Sequence, residues 1–208
     1  MADDNEVLFE ITRKHLNTGM RGFPVGSCRT SAVDPQDGVS YVGYPIKELA
    51  ERAPEEVVYL LLHREMPSEE QLGAFKADLK ARMGIDPKVL EILKALPREG
   101  HPMEWLTTGL ISLGMTSKTG DYAEDAKNVI AWAPELVAAI FRIRSGWGDP
   151  IAPKPELSLI ENFVHMLGVP GADPAKIERI LRVFYVLHMD HGGGNLSTFT
   201  GKAVASAH

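Results

Sequence analysis

The sequence predicts a mainly α-helical protein that carries one small β-hairpin near its start. Three observations predict it. Apolar residues recur at helical spacing in one segment after another from Ile46 onward. Helix-start signatures stand ahead of those segments, as in Pro54 before Glu55 and Glu56, Asp86-Pro87 and Asp173-Pro174. A turn composition, Asp34-Pro-Gln-Asp-Gly38, lies between two short β-prone runs. The chain has 208 residues, 44% of them hydrophobic, which suits a packed core and argues against disorder.

Charge and cysteine usage narrow the class. A net charge of −6 argues against nucleic acid and anionic membrane as main partners. Cys28 is the only cysteine, so no disulfide framework exists, which fits a reducing compartment. The opening residues, Met1-Ala-Asp-Asp-Asn-Glu6, are acidic, unlike a signal or transit peptide. The longest apolar run, Val57 to Leu62, is too short for a membrane span. The expectation is a soluble, cytoplasmic protein.

Residues 1–26 show no clear long element, and Arg13, Lys14 and Arg21 there read as a solvated basic face. Residues 28–44 read as the hairpin. Pro54 opens a helix through Val57–Leu62, apolar nearly all round and therefore expected to be buried. Ser68 and Gln71 match a capping box, with Glu69 and Glu70 in the favoured first turn of a helix reaching about Met83. Pro102 starts a helix carrying Trp105, Leu106, Leu110 and Leu113, with His101 ahead of it as a loop or cap residue. Pro134 starts or kinks the next, which holds Leu136, Val137, Ile140, Phe141 and Ile143. Leu157, Ile160, Val164 and Leu167 mark a further stripe, and Gly146–Pro155 is a surface segment. His15, His63 and His165 read as structural or solvated, and Trp105, Trp132 and Trp147 as packing residues. Eight to ten helices result, without an internal repeat or a domain boundary.

The chemistry-bearing residues gather at the end of the chain. Ile177, Ile180, Leu181, Phe184 and Leu187 recur at helical spacing, and continuing that helix puts His188 and His191 on one face. Gly192, Gly193 and Gly194 break it, and Asn195 is placed to cap a second helix through Leu196, Phe199 and Val204. Three readings of this pattern stand side by side. His188 and His191 with Asp190 invite a metal reading, but a spacing of three on a helix permits two ligands, no third candidate is close in sequence, and Cys28 lies far upstream. Both histidines could be helix-end residues without chemistry. Or imidazole N–H, Asn195 and the N–H groups of a helix N-terminus could hold a small anion. The glycines are no dinucleotide fingerprint, because no strand precedes them and the spacing differs.

His188-Met-Asp-His-Gly-Gly-Gly-Asn-Leu-Ser-Thr198 resembles the histidine-rich substrate motif of citrate synthases. Gly19-Met-Arg-Gly22, the stretch from Ser31 to Ile46, Pro67-Ser-Glu-Glu-Gln71, His101-Pro-Met103 and Asn162-Phe-Val-His-Met-Leu-Gly168 fall in the order that family shows. The resemblance covers nearly the whole chain, and methylcitrate synthases are close relatives. It implies a citrate-synthase-like multi-helical large domain with a small hairpin at its start, residues 1–208 being the N-terminal part of that domain. It implies oxaloacetate and acetyl-CoA as substrates, no cofactor and no metal, and a dimer whose sites are completed by the partner subunit. His191 resembles the family's oxaloacetate-binding histidine, donating to the keto acid; His188 and Asn195 resemble neighbours that orient it; Arg21 resembles an arginine reaching CoA phosphate.

The same resemblance implies that the catalytic groups proper lie beyond this chain. The condensation needs a base for a weakly acidic C–H, a donor for the enolate oxygen and cations for the dicarboxylate. The family's later histidine, aspartate and arginine segments have no counterpart in these 208 residues, so no catalytic residue is assigned here. A chain ending inside a helix would leave terminal carbonyls and an apolar face uncovered. The expectation is part of an oxaloacetate pocket, completed by a complementary C-terminal chain. The competing reading is a degenerate, non-catalytic homologue acting as a helical binding or scaffold module.

Overall fold

The structure, a computed structural model, describes residues 6, 7, 9–18, 27–191 and 196–205. Its first regular piece is a 3-10 turn, Arg13–Asn17, where the Thr12 N–H donates to Nδ1 of His15 at 2.9 Å. β1 (Ser31–Asp34) and β2 (Gly38–Tyr41) pair antiparallel, with Ser31 opposite Tyr41 and Asp34 opposite Gly38. Oδ1 of Asp34 accepts the backbone N–H groups of Gln36 and Asp37 at 2.7 and 2.9 Å, which closes the turn that the composition announces. The expected two-stranded hairpin has a third member. β3 (Tyr44–Pro45) pairs with β2, Tyr41 facing Tyr44. The Val42-Gly43 link has φ of 50° and 84°, as a type I′ turn requires. That conformation is strained for a β-branched residue, and Val42 holds it while packing on the cluster around Tyr41.

Nine α-helices follow among the described residues: α1 (Ile46–Leu49), α2 (Pro54–His63), α3 (Glu69–Arg82), α4 (Pro87–Ala95), α5 (Pro102–Ser117), α6 (Tyr122–Ser145), α7 (Leu159–Leu167), α8 (Pro174–Leu187) and α9 (Leu196–Ala205). The expected caps form. Ser68 Oγ accepts the Gln71 N–H at 3.2 Å while Oε1 of Gln71 accepts the Ser68 N–H at 2.8 Å. Asp86 and Asp173 each accept the N–H two residues on, at 2.9 and 3.0 Å. His101 is a cap: its Nδ1 accepts the Met103 N–H at 3.2 Å.

Pro134 neither starts nor ends a helix. α6 begins after Asp121, whose Oδ1 accepts the Ala123 and Glu124 N–H groups at 2.8 and 3.1 Å, and it runs on through the proline for 24 residues. An interior proline removes one ladder bond and costs about 3 kcal/mol. Here Ala131, Pro134, Leu136, Ala138, Ala139 and Ile140 are buried, and that packing outweighs the lost bond. α6 lies against α3, α4, α5 and α7. It crosses α5 closely at Gly109, where a Cβ would come within 2.6 Å of Leu136 Cδ1.

One burial expectation changes. Leu62, in the run expected to be enclosed, is 42% exposed. In α8 only Val186 is buried, while Ile180, Phe184 and Leu187 are 56%, 54% and 44% exposed. Periodicity identifies an apolar face but not what covers it. Trp105 is core, and Trp132 and Trp147 are half-buried. The cluster that bears on the site joins Tyr41, Leu49, Val57, Leu60 and Val186, all at 0% exposure, so β2, α1, α2 and the end of α8 share one core.

Buried polar side chains tie down the loops. Arg142 donates to four main-chain carbonyls, Asp149 O at 2.7 Å, Trp147 O at 2.7 Å, Leu167 O at 3.0 Å and Gly168 O at 3.4 Å, and so holds the surface segment that begins at Gly146. Glu55 of α2 accepts the Leu159 N–H at 2.9 Å, placing a carboxylate at the N-terminus of α7. Glu135 accepts the Gly84 and Ile85 N–H groups, each at 3.1 Å.

Two outcomes are expected. Burial raises the pKa of Glu135 above its ordinary 4.5, against the pull of its two N–H donors. A raised folded value means that its contribution to stability is full below 4.5 and is lost as pH rises through that folded value. Glu135→Gln keeps an acceptor and cannot ionise. Urea unfolding of the two proteins is expected to converge near pH 4 and to separate toward pH 7 with the variant the more stable, a conclusion that an unwidened gap would overturn. Cys28 Sγ lies 3.5 Å from Thr30 Oγ1 and 3.7 Å from Ser31 Oγ. The Thr30 hydroxyl and then the Ser31 backbone N–H stabilise the thiolate and lower the thiol pKa to about 7. Iodoacetamide alkylation is expected to rise with a midpoint near 7 and to shift upward in Thr30→Val; an unshifted midpoint would show that the hydroxyl has no such effect.

Candidate functional site

The histidine motif begins where α8 ends. His188 is the C-cap residue, with φ −118° and ψ 11°, so the chain has left the helix by that point. The expected helical face shared by His188 and His191 therefore does not form. His191 follows three residues on, outside the helix and exposed. The three glycines that follow in sequence give a local reason for a break near this point.

His188 is held on one side. Its ring stacks on Phe184, with centroids 4.0 Å apart and 25° between planes, and its Nδ1 lies 2.8 Å from Phe184 O. A carbonyl can only accept, so Nδ1 is the donor in this contact. Beside it lies a groove of about 470 Å³ between α2 and α8, with Val58, Leu62, Phe184, Tyr185, His188 and Met189 among its lining. Its walls are mostly apolar. Burial, and then the charge of Glu55, raise the pKa of Tyr185, so that phenol stays neutral.

The backbone of the motif is anchored from the hairpin. The Tyr41 hydroxyl donates to Val186 O at 3.0 Å and accepts the Asp190 N–H at 3.3 Å, one contact on each side of His188. Burial raises the Tyr41 pKa, and the Asp190 charge adds to that, so the phenol is a neutral donor and acceptor. Oδ2 of Asp190 is shielded from solvent and has no hydrogen-bond partner among the described residues. Sequence reasoning weighed Asp190 only as a metal ligand and Tyr41 only as a strand residue. No local signal links them, since they are 149 positions apart.

Of the four residues assigned to binding from the sequence, His188 and His191 lie in this turn, while Asn195 and Arg21 lie outside the described residues, as do Gly192, Gly193 and Gly194. α9 begins immediately after Asn195. Among the described residues no group of three or more His, Cys, Asp or Glu side chains could hold a metal ion. No helix among them is long and apolar enough to cross a membrane. What the arrangement offers is a pinned turn with the His188 imidazole beside an apolar groove and an exposed His191 three residues on.

Comparison with known proteins bears on these residues. A family model described as citrate synthase, C-terminal domain, matches residues 19–208. The chain is similar to citrate synthase 4, mitochondrial, of Arabidopsis thaliana, 33% identical over 96% of this chain and 47% of the relative. It is similar to 2-methylcitrate synthase of Shewanella oneidensis, 30% identical over 93% of this chain and 52% of the relative. Its structure is similar to that of citrate synthase from Thermotoga maritima, with a TM-score of 0.74 and 29% identity over 87% of this chain and 48% of that one. The chain thus spans about half the length of the relatives it matches.

Proposed function

This chain belongs to the citrate synthase family, and from that membership we propose that it supplies part of the oxaloacetate pocket of an enzyme condensing oxaloacetate with acetyl-CoA to citrate and CoA. The observation that carries the reading is the turn from His188 to His191, tied by Tyr41 to Val186 before it and to Asp190 within it, and carrying the family's motif. His191, exposed beyond the helix end, donates to the keto acid. His188, its ring fixed by Phe184, orients the site together with Asn195, and Arg21 reaches the CoA phosphate. A ring held in one place loses little rotamer freedom on binding, which favours affinity.

Residues 1–208 serve as the N-terminal part of the large domain, and the groups that move protons in the condensation come from further polypeptide. In this reading a complementary chain supplies them and dimerisation completes the sites, as the family resemblance implies; the chain itself spans about half the length of the relatives it matches. Uncovered apolar side chains support this reading: Ile180, Phe184 and Leu187 of α8, and Met103, Ile111 and Met115 of α5, are all more than two-fifths exposed. A second reading, with propionyl-CoA as the thioester, is favoured by the similarity to a 2-methylcitrate synthase.

The 208-residue chain alone is expected to release no CoA from acetyl-CoA and oxaloacetate in a thiol assay, whereas turnover at ordinary enzyme rates would mean that the chain is sufficient by itself. In an assembly that turns over, His191→Ala is expected to lower kcat/KM for oxaloacetate by about ten- to a hundredfold, the size of a lost hydrogen bond to a charged ligand. Unchanged kinetics would remove His191 from the site. Comparing acetyl-CoA with propionyl-CoA in the same assay separates the two substrate readings.

A further inference from the structure

We propose that Tyr41 is a positioning residue for the histidine turn, acting through its hydroxyl and the Asp190 backbone rather than through contact with substrate. The inference rests on the reading above that His191 meets oxaloacetate. The ring of Tyr41 is fully buried among Leu49, Val57, Leu60 and Val186, and that packing asks only for an aromatic ring. A phenylalanine would serve it. The hydroxyl is there for something else. It donates to Val186 O in the last turn of α8 and accepts from the Asp190 N–H two residues past His188.

The two bonds clamp the stretch in which the chain changes from helix to turn. Helix-end carbonyls lack a full set of helical donors, and a side-chain donor at that point sets where the helix stops. Past Asp190 the sequence runs into three successive glycines, which do little to restrict their own backbone. The direction in which His191 leaves the helix is therefore set from outside, by β2. The solvent-shielded Asp190 Oδ2 has no partner among the described residues, so the Asp190 side chain offers the turn no second anchor through that atom. His188 and Met189 are tied back to α8 by their own bonds, and beyond them the phenol is what holds Asp190.

The test uses the isotopically labelled 208-residue chain in its wild-type and Tyr41→Phe forms, with Leu93→Ala in the separate α4–α5–α6 core as a destabilised control. Two readouts are taken by NMR: amide exchange at Asp190, and oxaloacetate titration followed on the His191 ring resonances. In Tyr41→Phe, Asp190 is expected to exchange at least about tenfold faster and oxaloacetate to bind about tenfold more weakly, as for loss of one hydrogen bond. Leu93→Ala is expected to leave both near wild type despite a lower Tm. Asp190 exchange unchanged by Tyr41→Phe, or affected equally by Leu93→Ala, overturns the proposal. Should Tyr41→Phe not fold, wild-type Asp190 exchanging at the rate of an unprotected amide overturns it as well. A wild-type chain that leaves His191 unmoved by oxaloacetate defeats the substrate reading alone, because the Asp190 exchange still reports on Tyr41.

Discussion

One phenol joins two parts of the chain that are 145 residues apart, and the arrangement of the site depends on it. The Tyr41 ring shares a sealed cluster with side chains from α1, α2 and α8, so the hairpin is not an ornament on the helical body. Most of that hairpin is solvated; of the eight residues in its two longer strands only Ser31 and Tyr41 are buried. A two- or three-stranded ribbon has little stability of its own, and here its one deeply buried aromatic residue supplies the attachment. The strained Val42 fits the same picture: a turn that would favour Asn or Gly keeps a valine that packs beside Tyr41.

The rest of the scaffold uses buried charge in a similar way. Arg142, Glu135 and Glu55 are all buried, and each is satisfied by main-chain groups. A buried guanidinium or carboxylate is tolerated only when its hydrogen-bonding capacity is met, and backbone groups at helix ends and in loops meet it here. The effect is to fix segments with no regular structure, namely the loop after α6, the turn before α4 and the start of α7. Loops held by the core give the helices fixed relative positions, and the turn after α8 inherits that rigidity.

What could be read from the sequence was what is local. Ser68 with Gln71, Asp86 with Pro87 and Asp173 with Pro174 announce helix starts because the cap bond spans two or three residues. The Asp34–Gly38 turn is legible for the same reason. Of the two readings of Pro134, a helix start is ruled out, because burial on several sides let α6 continue through it. The motif residues were found by resemblance, yet the expected helical face for His188 and His191 was wrong: spacing cannot tell that a helix stops at Leu187. The α8 stripe was read correctly as apolar, and its periodicity carried no information on what covers it. Tyr41 and Arg142 carried no signal at all, since their roles are defined by partners distant in sequence or by the shape of a loop.

Gly109 has a consequence on the far side of its own helix. Leu136 occupies the space where its side chain would be, so α5 and α6 approach as nearly as two backbones with one leucine between them can. The opposite side of α5 carries Met103, Ile111 and Met115, at 57%, 60% and 80% exposure. An alanine at 109 would press on the terminal methyl groups of the fully buried Leu136, and the contact is relieved by a turn of that side chain or by an outward shift of α5 that carries those three side chains with it. The apolar ridge and the core beneath it thus meet through a single missing methyl group.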